Sequence, residues 1–308
     1  MITEIPSASD FQAAGLNQLY LAWQIALKAV EDLEEAEGLA EDLEDHEKSK
    51  ASAEYWAKSQ PALANAFGLV QQAMEMALKG RIAAVSPFLL ITRDPKDWPK
   101  GVDTGAVAFS DFRTIDAADL LKVHNSVAGV PLNDGFRSFW DEVRRDRNRV
   151  MHSVRPKSFD PATLVRSILT AAVELFAEMR WCERLLAMEV EGKFAAYGLE
   201  DAGQNIVMRQ IDIAIRHLEP SEKKKFFGFD VKRRAYLCPE CYSLANTDWQ
   251  DSWPKLAQFT ERKPGARQLH CVVCDKTVEV DRSNCSRAKC KGNAIYEGMC
   301  LTCVRYQD

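Results

Sequence analysis

Eight cysteines crowd into the last 71 of 308 residues, and their spacing limits what that stretch can fold into more than any other feature of the chain. Cys238-Pro239-Glu240-Cys241 and Cys271-Val272-Val273-Cys274 are two Cys-x2-Cys pairs. Cys285 and Cys290 form a Cys-x4-Cys pair, and Cys300 and Cys303 a third Cys-x2-Cys. Two residues between ligands let a tight turn aim both sulfurs at one ion, and four thiolates close a tetrahedral site with no open position. Such pairing suits zinc in a reducing cytosol better than disulfides. Two structural zinc ions are therefore the expected cofactors, with none required for catalysis. The simplest assignment is sequential: Cys238, Cys241, Cys271 and Cys274 on one ion, Cys285, Cys290, Cys300 and Cys303 on the other. An interleaved pairing satisfies the same spacings, and His270 offers an alternative ligand beside Cys271. A closed tetrathiolate site contributes folding energy and a binding surface rather than chemistry; a redox sensor is the other reading. Cys182 stands apart on a helix-like stretch and reads as a core residue.

Charge divides the chain unevenly. From Lys223 onward there are 16 basic and 10 acidic side chains, a balance of +6, so the net −5 leaves −11 on residues 1–222. Neither half makes a strong field for nucleic acid, and RNA contacts must come from local patches. No signal peptide is evident, and the longest apolar run, residues 82–91, is short and broken by Ser86 and Pro87. A cytoplasmic protein without a membrane span is expected.

Apolar periodicity predicts a mainly α front. Ser7-Ala8-Ser9-Asp10 is a capping-box pattern opening a first helix with Leu16, Leu19, Trp23, Val30 and Leu33 on one stripe. It runs into residues 31–47, which hold ten carboxylates and read as a solvated extension or loop, or as a partner-binding face. A second helix is predicted from Ser59-Gln60-Pro61 to Lys79-Gly80, with Gly80 as a left-handed cap. Residues 92–105 read as a loop, residues 116–125 as a short helix. Asp160-Pro161 opens a long helix through Leu164, Ile168, Phe176 and Leu185 to about Gly192. Residues 205–218 are helical again. These features divide the chain into a helical domain over 1–222, a linker over 223–235 and a metal module over 236–308. The linker holds Lys223, Lys224, Lys225, Lys232, Arg233 and Arg234 among phenylalanines, a mix that holds single-stranded nucleic acid by charge and stacking. It reads equally as a tether whose phenylalanines dock on the helices.

A helix from about Asn133 carries Phe136, Trp140, Val143, Val150 and Val154 on one face, with Arg147 on the same stripe. A guanidinium there must find a partner or a polar cleft, because it cannot discharge when buried. Arg147-Asn148-Arg149-Val150-Met151-His152 then supplies a phosphate-binding cation, an amide and an imidazole. Arg147 and His152 are about 140° apart on an ideal helix, so a kink, a helix end near Pro156 or a second copy is needed to bring them together. Arg145 is a fallback for Arg147. Glu75 reads as a surface carboxylate, with a partnership to the Arg as the alternative.

This string resembles the signature of the HEPN superfamily, helical bundles whose Arg-x(4–6)-His motif often carries ribonuclease activity. Residues 62–79 resemble the long second helix of such bundles, and Asp119-Leu120-Leu121-Lys122-Val123 resembles the family's Asp-Leu-Leu-Lys-Leu helix. Val154 stands where one branch, tied to a partner nucleotidyltransferase, carries Tyr. In the tail, the first cysteine set resembles a zinc ribbon and the second a small zinc knuckle. The resemblance implies a HEPN-like bundle acting as a homodimer that cuts RNA without metal. His152 would be the acid or base, Arg147 would hold the phosphate and Asn148 would assist. It also implies a toxin or phage-defence effector, with an antitoxin or activating partner. The alternative is a non-catalytic dimer whose zinc tail binds nucleic acid or protein.

Overall fold

Helix dominates as the periodicity predicts: a computed structural model of the chain is 59 % helix, with nine α-helices among the described residues. These are residues 1–40, 42–92, 94–152, 158–178, 180–192, 197–198, 200–249 and 252–307; at 150–152, 200 and 249 only the backbone is described. Val154 and Pro156 lie outside them. The chain forms two compact units, Met1–Ala177 and Glu178–Asp308.

In the first unit, α1 (Ala8–Leu39) starts at the expected cap: Ser7 Oγ accepts from Asp10 N at 3.2 Å, and Asp10 accepts from Ser7 N at 2.8 Å. The following helix α2 (Asp45–Val85) returns antiparallel, with Tyr55 Oη donating to Ala29 O at 2.7 Å and Gly80 lying against Ala8. It is much longer than predicted. Pro61 sits inside it, where Ser59 and Gln60 side chains donate to the carbonyls of Tyr55 and Trp56 in the same turn. Packing against α1 outweighs the lost backbone bond. Gly80 is not a cap. A Cβ there would lie 3.1 Å from Ala8 O and 3.2 Å from Phe11 Cβ, so the missing side chain is what lets the helices close. The acidic segment is the end of α1, a turn and the start of α2, and none of its described carboxylates is buried.

Helices α3 (Ala117–Val127) and α4 (Asp134–His152) pack on α2, and α5 (Pro161–Leu175) packs on α1 and α2. Their shared core contains Trp23, Leu63, Met74, Leu120, Trp140 and Leu164, all fully buried. Gln60 clasps the backbone of Phe159, accepting from its N at 2.8 Å and donating to its O at 3.1 Å, while Phe159 stacks on Phe67. A two-residue strand β1 (Ile2–Thr3) pairs in parallel with β2 (Val107–Ala108).

The long helix expected from Asp160 divides. Its start is as read, with Asp160 accepting from Thr163 N at 2.8 Å and Pro161 in the first turn. It stops at Leu175 because Arg81, from α2, donates to Glu174 O at 2.8 Å and Leu175 O at 3.1 Å. Those carbonyls are the ones a helix end leaves open.

The second unit begins with α6 (Trp181–Val190) and α7 (Glu200–His217), which pack together, and α8 (Pro220–Phe227). The predicted linker is thus partly helical: Glu219 and Glu222 form a capping box before Lys223, and Gly228 closes α8 at φ 69°. The predicted boundary at 222/223 lies inside this unit, because two contacts fasten the helices to the metal module. Arg180 pairs with Asp275 and donates to Val272 O at 3.0 Å. Asn205 exchanges two hydrogen bonds with the backbone of Asn246, at 3.0 and 2.8 Å. The module has a four-stranded antiparallel sheet, β3 (Ala235–Tyr236), β4 (Ala257–Phe259), β5 (Gln268–Cys271) and β6 (Thr277–Glu279). Its α9 (Pro239–Leu244) follows β3, and a three-stranded sheet, β7 (Ile295–Tyr296), β8 (Met299–Cys300) and β9 (Arg305–Tyr306), ends the chain. Among the described residues no helix is long and apolar enough to cross a membrane.

Candidate functional site

The eight tail cysteines converge in the sequential arrangement. Cys238, Cys241, Cys271 and Cys274 form one cluster and Cys285, Cys290, Cys300 and Cys303 the other, with the sulfurs of each within 4.8 Å of one another. Measured pairs are Cys238–Cys274 at 3.7 Å, Cys241–Cys271 at 3.6 Å, Cys285–Cys303 at 3.8 Å and Cys290–Cys300 at 3.9 Å. A tetrahedron with metal–sulfur bonds of about 2.3 Å has edges of about 3.8 Å. Each cluster can therefore hold one tetrahedral metal ion, and four thiolates are consistent with zinc.

Local turns explain the convergence. Cys271 ends β5 and Cys300 ends β8, and each is followed by the same knuckle. Asp275 N donates to Cys271 O at 3.1 Å, and Val304 N donates to Cys300 O at 2.8 Å. Asp275 and Val304 both adopt the left-handed conformation, at φ 59° and 56°. A β-branched Val there is strained, so the surrounding knuckle must over-determine the turn. Backbone N–H groups point at sulfur in both clusters: Cys241 N to Cys238 at 3.4 Å, Val273 N to Cys271 at 3.4 Å and Gly292 N to Cys290 at 3.3 Å. The N–H of Arg287 brings the Cys285 thiol down to about 7. His270 is not a ligand; its Nε2 lies 2.8 Å from Asp275 Oδ1. Lys276, bonded to Glu240 at 2.7 Å, ties the two halves of the first site. Cys182 is buried, and burial pushes its thiol up to about 12, in keeping with a core residue.

Gly292 is a position the sequence did not single out. A Cβ there would overlap Cys300 Sγ and sit 3.2 Å from Cys290 Sγ, so only glycine leaves room for the second cluster. Gly292→Ala is expected to lower the metal content from two ions per chain to one. Elemental analysis of the purified variant checks this, and a variant that keeps both ions refutes it.

On the motif helix, Phe136, Trp140 and Val143 are buried as their stripe predicts. Arg147 is half-buried, and Asn148 and Arg145 are exposed. The side chain of His152 lies outside the described residues, although the backbone of α4 stays helical to that position. Arg147 Nη1 reaches Asn148 Oδ1 at 3.4 Å. Opposite stands α2. Glu75 is half-buried, hydrogen-bonded to Gln71, and near enough to Lys79, Arg147 and Arg144 to feel their charges. Burial raises its carboxyl above the usual range, against the pull of those three cations. Asp146, buried beside Arg149 at 3.3 Å, was not singled out from sequence either. Gln71, Glu75 and Lys79 recur every four residues, a polar row on the apolar second half of α2 that was the available signal. Along α4, Ser138, Asp141, Arg144, Arg145 and Asn148 line an open groove of about 460 Å³.

The basic candidates near residue 230 are put to different uses. Lys223, Lys224 and Lys225 ride on α8, with Lys225 over the Phe226 ring at 5.0 Å. Lys232 is exposed in the turn before β3. Arg233 is a brace, donating to Phe259 O at 2.8 Å and Thr260 O at 3.1 Å and pairing with Asp230 at 3.4 Å. Arg234 reaches the second cluster's loop, donating to Lys291 O at 2.6 Å.

No family model, no curated protein and no solved structure matches this chain.

Proposed function

We propose that the chain is a HEPN-like endoribonuclease that acts without a catalytic metal, with two zinc ions holding its tail. The observation that carries this reading is the surroundings of Arg147. An apolar stripe on α4 is interrupted by a guanidinium close enough to the half-buried Glu75 of α2 to feel its charge, and Arg144, Arg145 and Asn148 of the same helix line an open groove. A guanidinium half-buried at that position must have an opposite charge or a polar cleft within reach.

In the proposed reaction a ribose 2′-OH attacks the adjacent phosphorus, a base takes its proton, and the 5′-oxygen leaves with a proton from an acid. The products are a 2′,3′-cyclic phosphate and a 5′-OH. His152 is the acid–base group, since imidazole titrates near neutrality. Arg147 holds the phosphate and the charge that builds on it, a task for its planar fork. Glu75 and Gln71 act as positioning residues for Arg147. An unbroken helix through residue 152 keeps the two motif positions about 140° apart. A twofold dimer bringing two motifs to one cleft supplies both acid and base. Such an enzyme would act as a toxin or phage-defence effector restrained or triggered by a partner.

The test is incubation of the full chain with total RNA in magnesium-free buffer. A chelator is left out because it would also strip the tail. Fragments ending in cyclic phosphate are expected, and toxicity on expression if the purified enzyme awaits a trigger. Intact RNA together with no growth defect leaves the helices as a non-catalytic scaffold.

A further inference from the structure

Some cations in and just before the metal module have carboxylate partners: Arg267 with Glu279 and Asp281, Lys276 with Glu240, Lys263 with Glu261, Arg180 with Asp275 and Arg233 with Asp230. Arg287, Lys289 and Lys291 are different. All three are exposed, and among the described residues none has a carboxylate partner. They lie on the loop between Cys285 and Gly292, and with Arg234 and Thr302 they line a groove of about 770 Å³ beside the second cluster. No acidic side chain lines that groove among the described residues, and residues 282–296 contain no Asp or Glu.

Arg234 gives the groove a fixed wall. Its guanidinium donates to Lys291 O at 2.6 Å and to Thr302 Oγ1 at 3.3 Å, and it sits 5.4 Å from the centre of the Tyr236 ring. Four thiolates and one divalent ion leave a net charge of about −2 on the cluster. Four cations exceed that, so a positive surplus remains on an open, concave surface.

We infer that this groove binds the phosphodiester backbone of single-stranded nucleic acid. Phosphates are the anions that a row of Arg and Lys on a loop recognises. A flexible strand can follow a concave site that a stiff, wide duplex meets only at its rim. The inference does not depend on the ribonuclease reading, since strand capture by the tail and cleavage by α4 use different residues.

The experiment uses the full-length, metal-loaded chain carrying His152→Ala, so the probe stays whole. Fluorescein-labelled oligouridine of about twelve nucleotides, within the span that small single-strand sites cover, is titrated while anisotropy is read. The combined variant Arg287→Ala, Lys289→Ala, Lys291→Ala is expected to weaken binding at least about tenfold. It should also lower the dependence of log K on log salt by about 2, the loss of three phosphate contacts. Oligothymidine tells RNA from DNA, and binding of either supports a phosphodiester site. Three results overturn the inference: the variant binds as tightly as its parent, the duplex is preferred, or the variant loses its second metal ion. The last would assign the cations to offsetting cluster charge.

Discussion

Removing metal from the tail is expected to unfold residues 235–307 while the helices of Met1–Ala177 keep their structure. The strands of the module are two to four residues long, too short to be stable by pairing alone. Its interior is built around the sulfurs, with Cys241, Cys271 and Cys300 almost fully buried beside Leu237 and Leu301. Structural zinc contributes on the order of 10 kcal/mol of apparent binding free energy per site, more than a module of this size can replace by burial. Without the cation, Cys241 is forced to keep its proton by hydrogen bonds with Cys238, Cys271 and Cys274 and by burial. Acid acts in the same direction, because protons compete with the metal for thiolate; the stability conferred by zinc is present at neutral pH and lost as pH falls. Hydrogen exchange before and after chelation is the measurement. Cys241→Ser should reproduce the loss in β3 to β6. Strands that stay protected in the metal-free chain would show that the clusters do not hold the fold.

Substituting His152 by Ala is expected to cut RNA cleavage by about 10²- to 10⁴-fold, the usual worth of a general acid or base. Loss of Arg147 should cost about 10²- to 10³-fold, and Arg147→Lys should restore little, because an ammonium lacks the planar fork. Glu75→Gln separates positioning from catalysis. If Glu75 only holds Arg147 in place, the variant should lower the rate with a pH profile of unchanged shape. If Glu75 is itself an acid or base, one limb of the profile disappears. In a dimer with composite sites, mixing His152→Ala with Arg147→Ala chains should recover part of the activity. Equal cleavage by wild type and His152→Ala would end the ribonuclease reading and leave the zinc module standing.

The readable parts of this chain were those fixed by near neighbours in sequence. Ser7, Asp160 and Pro161 mark helix starts because a cap satisfies its own first turn. The cysteine spacings announce knuckles because each pair closes within four to six residues. The stripe of Phe136, Trp140 and Val143 predicts its own burial. What stayed hidden depends on distant partners. Nothing near Pro61 tells that α1 will hold α2 helical through it, and nothing near Gly80 tells that Ala8 will press against it. The end of α5 is set by Arg81, more than ninety positions away. Glu75 took its meaning from Arg147 on another helix. Gly292 took its meaning from the sulfur of Cys300 on β8.

Arg180 and Asn205 reach from the helices preceding the cysteine-rich stretch to Asp275, Val272 and Asn246 within it. The piece that can be inherited, grafted or expressed as one is therefore longer than its cysteines suggest. A truncation made at the basic run would strip α6 and α7 from the surface they cover. Scissors placed between 177 and 178 leave both products with their own interiors.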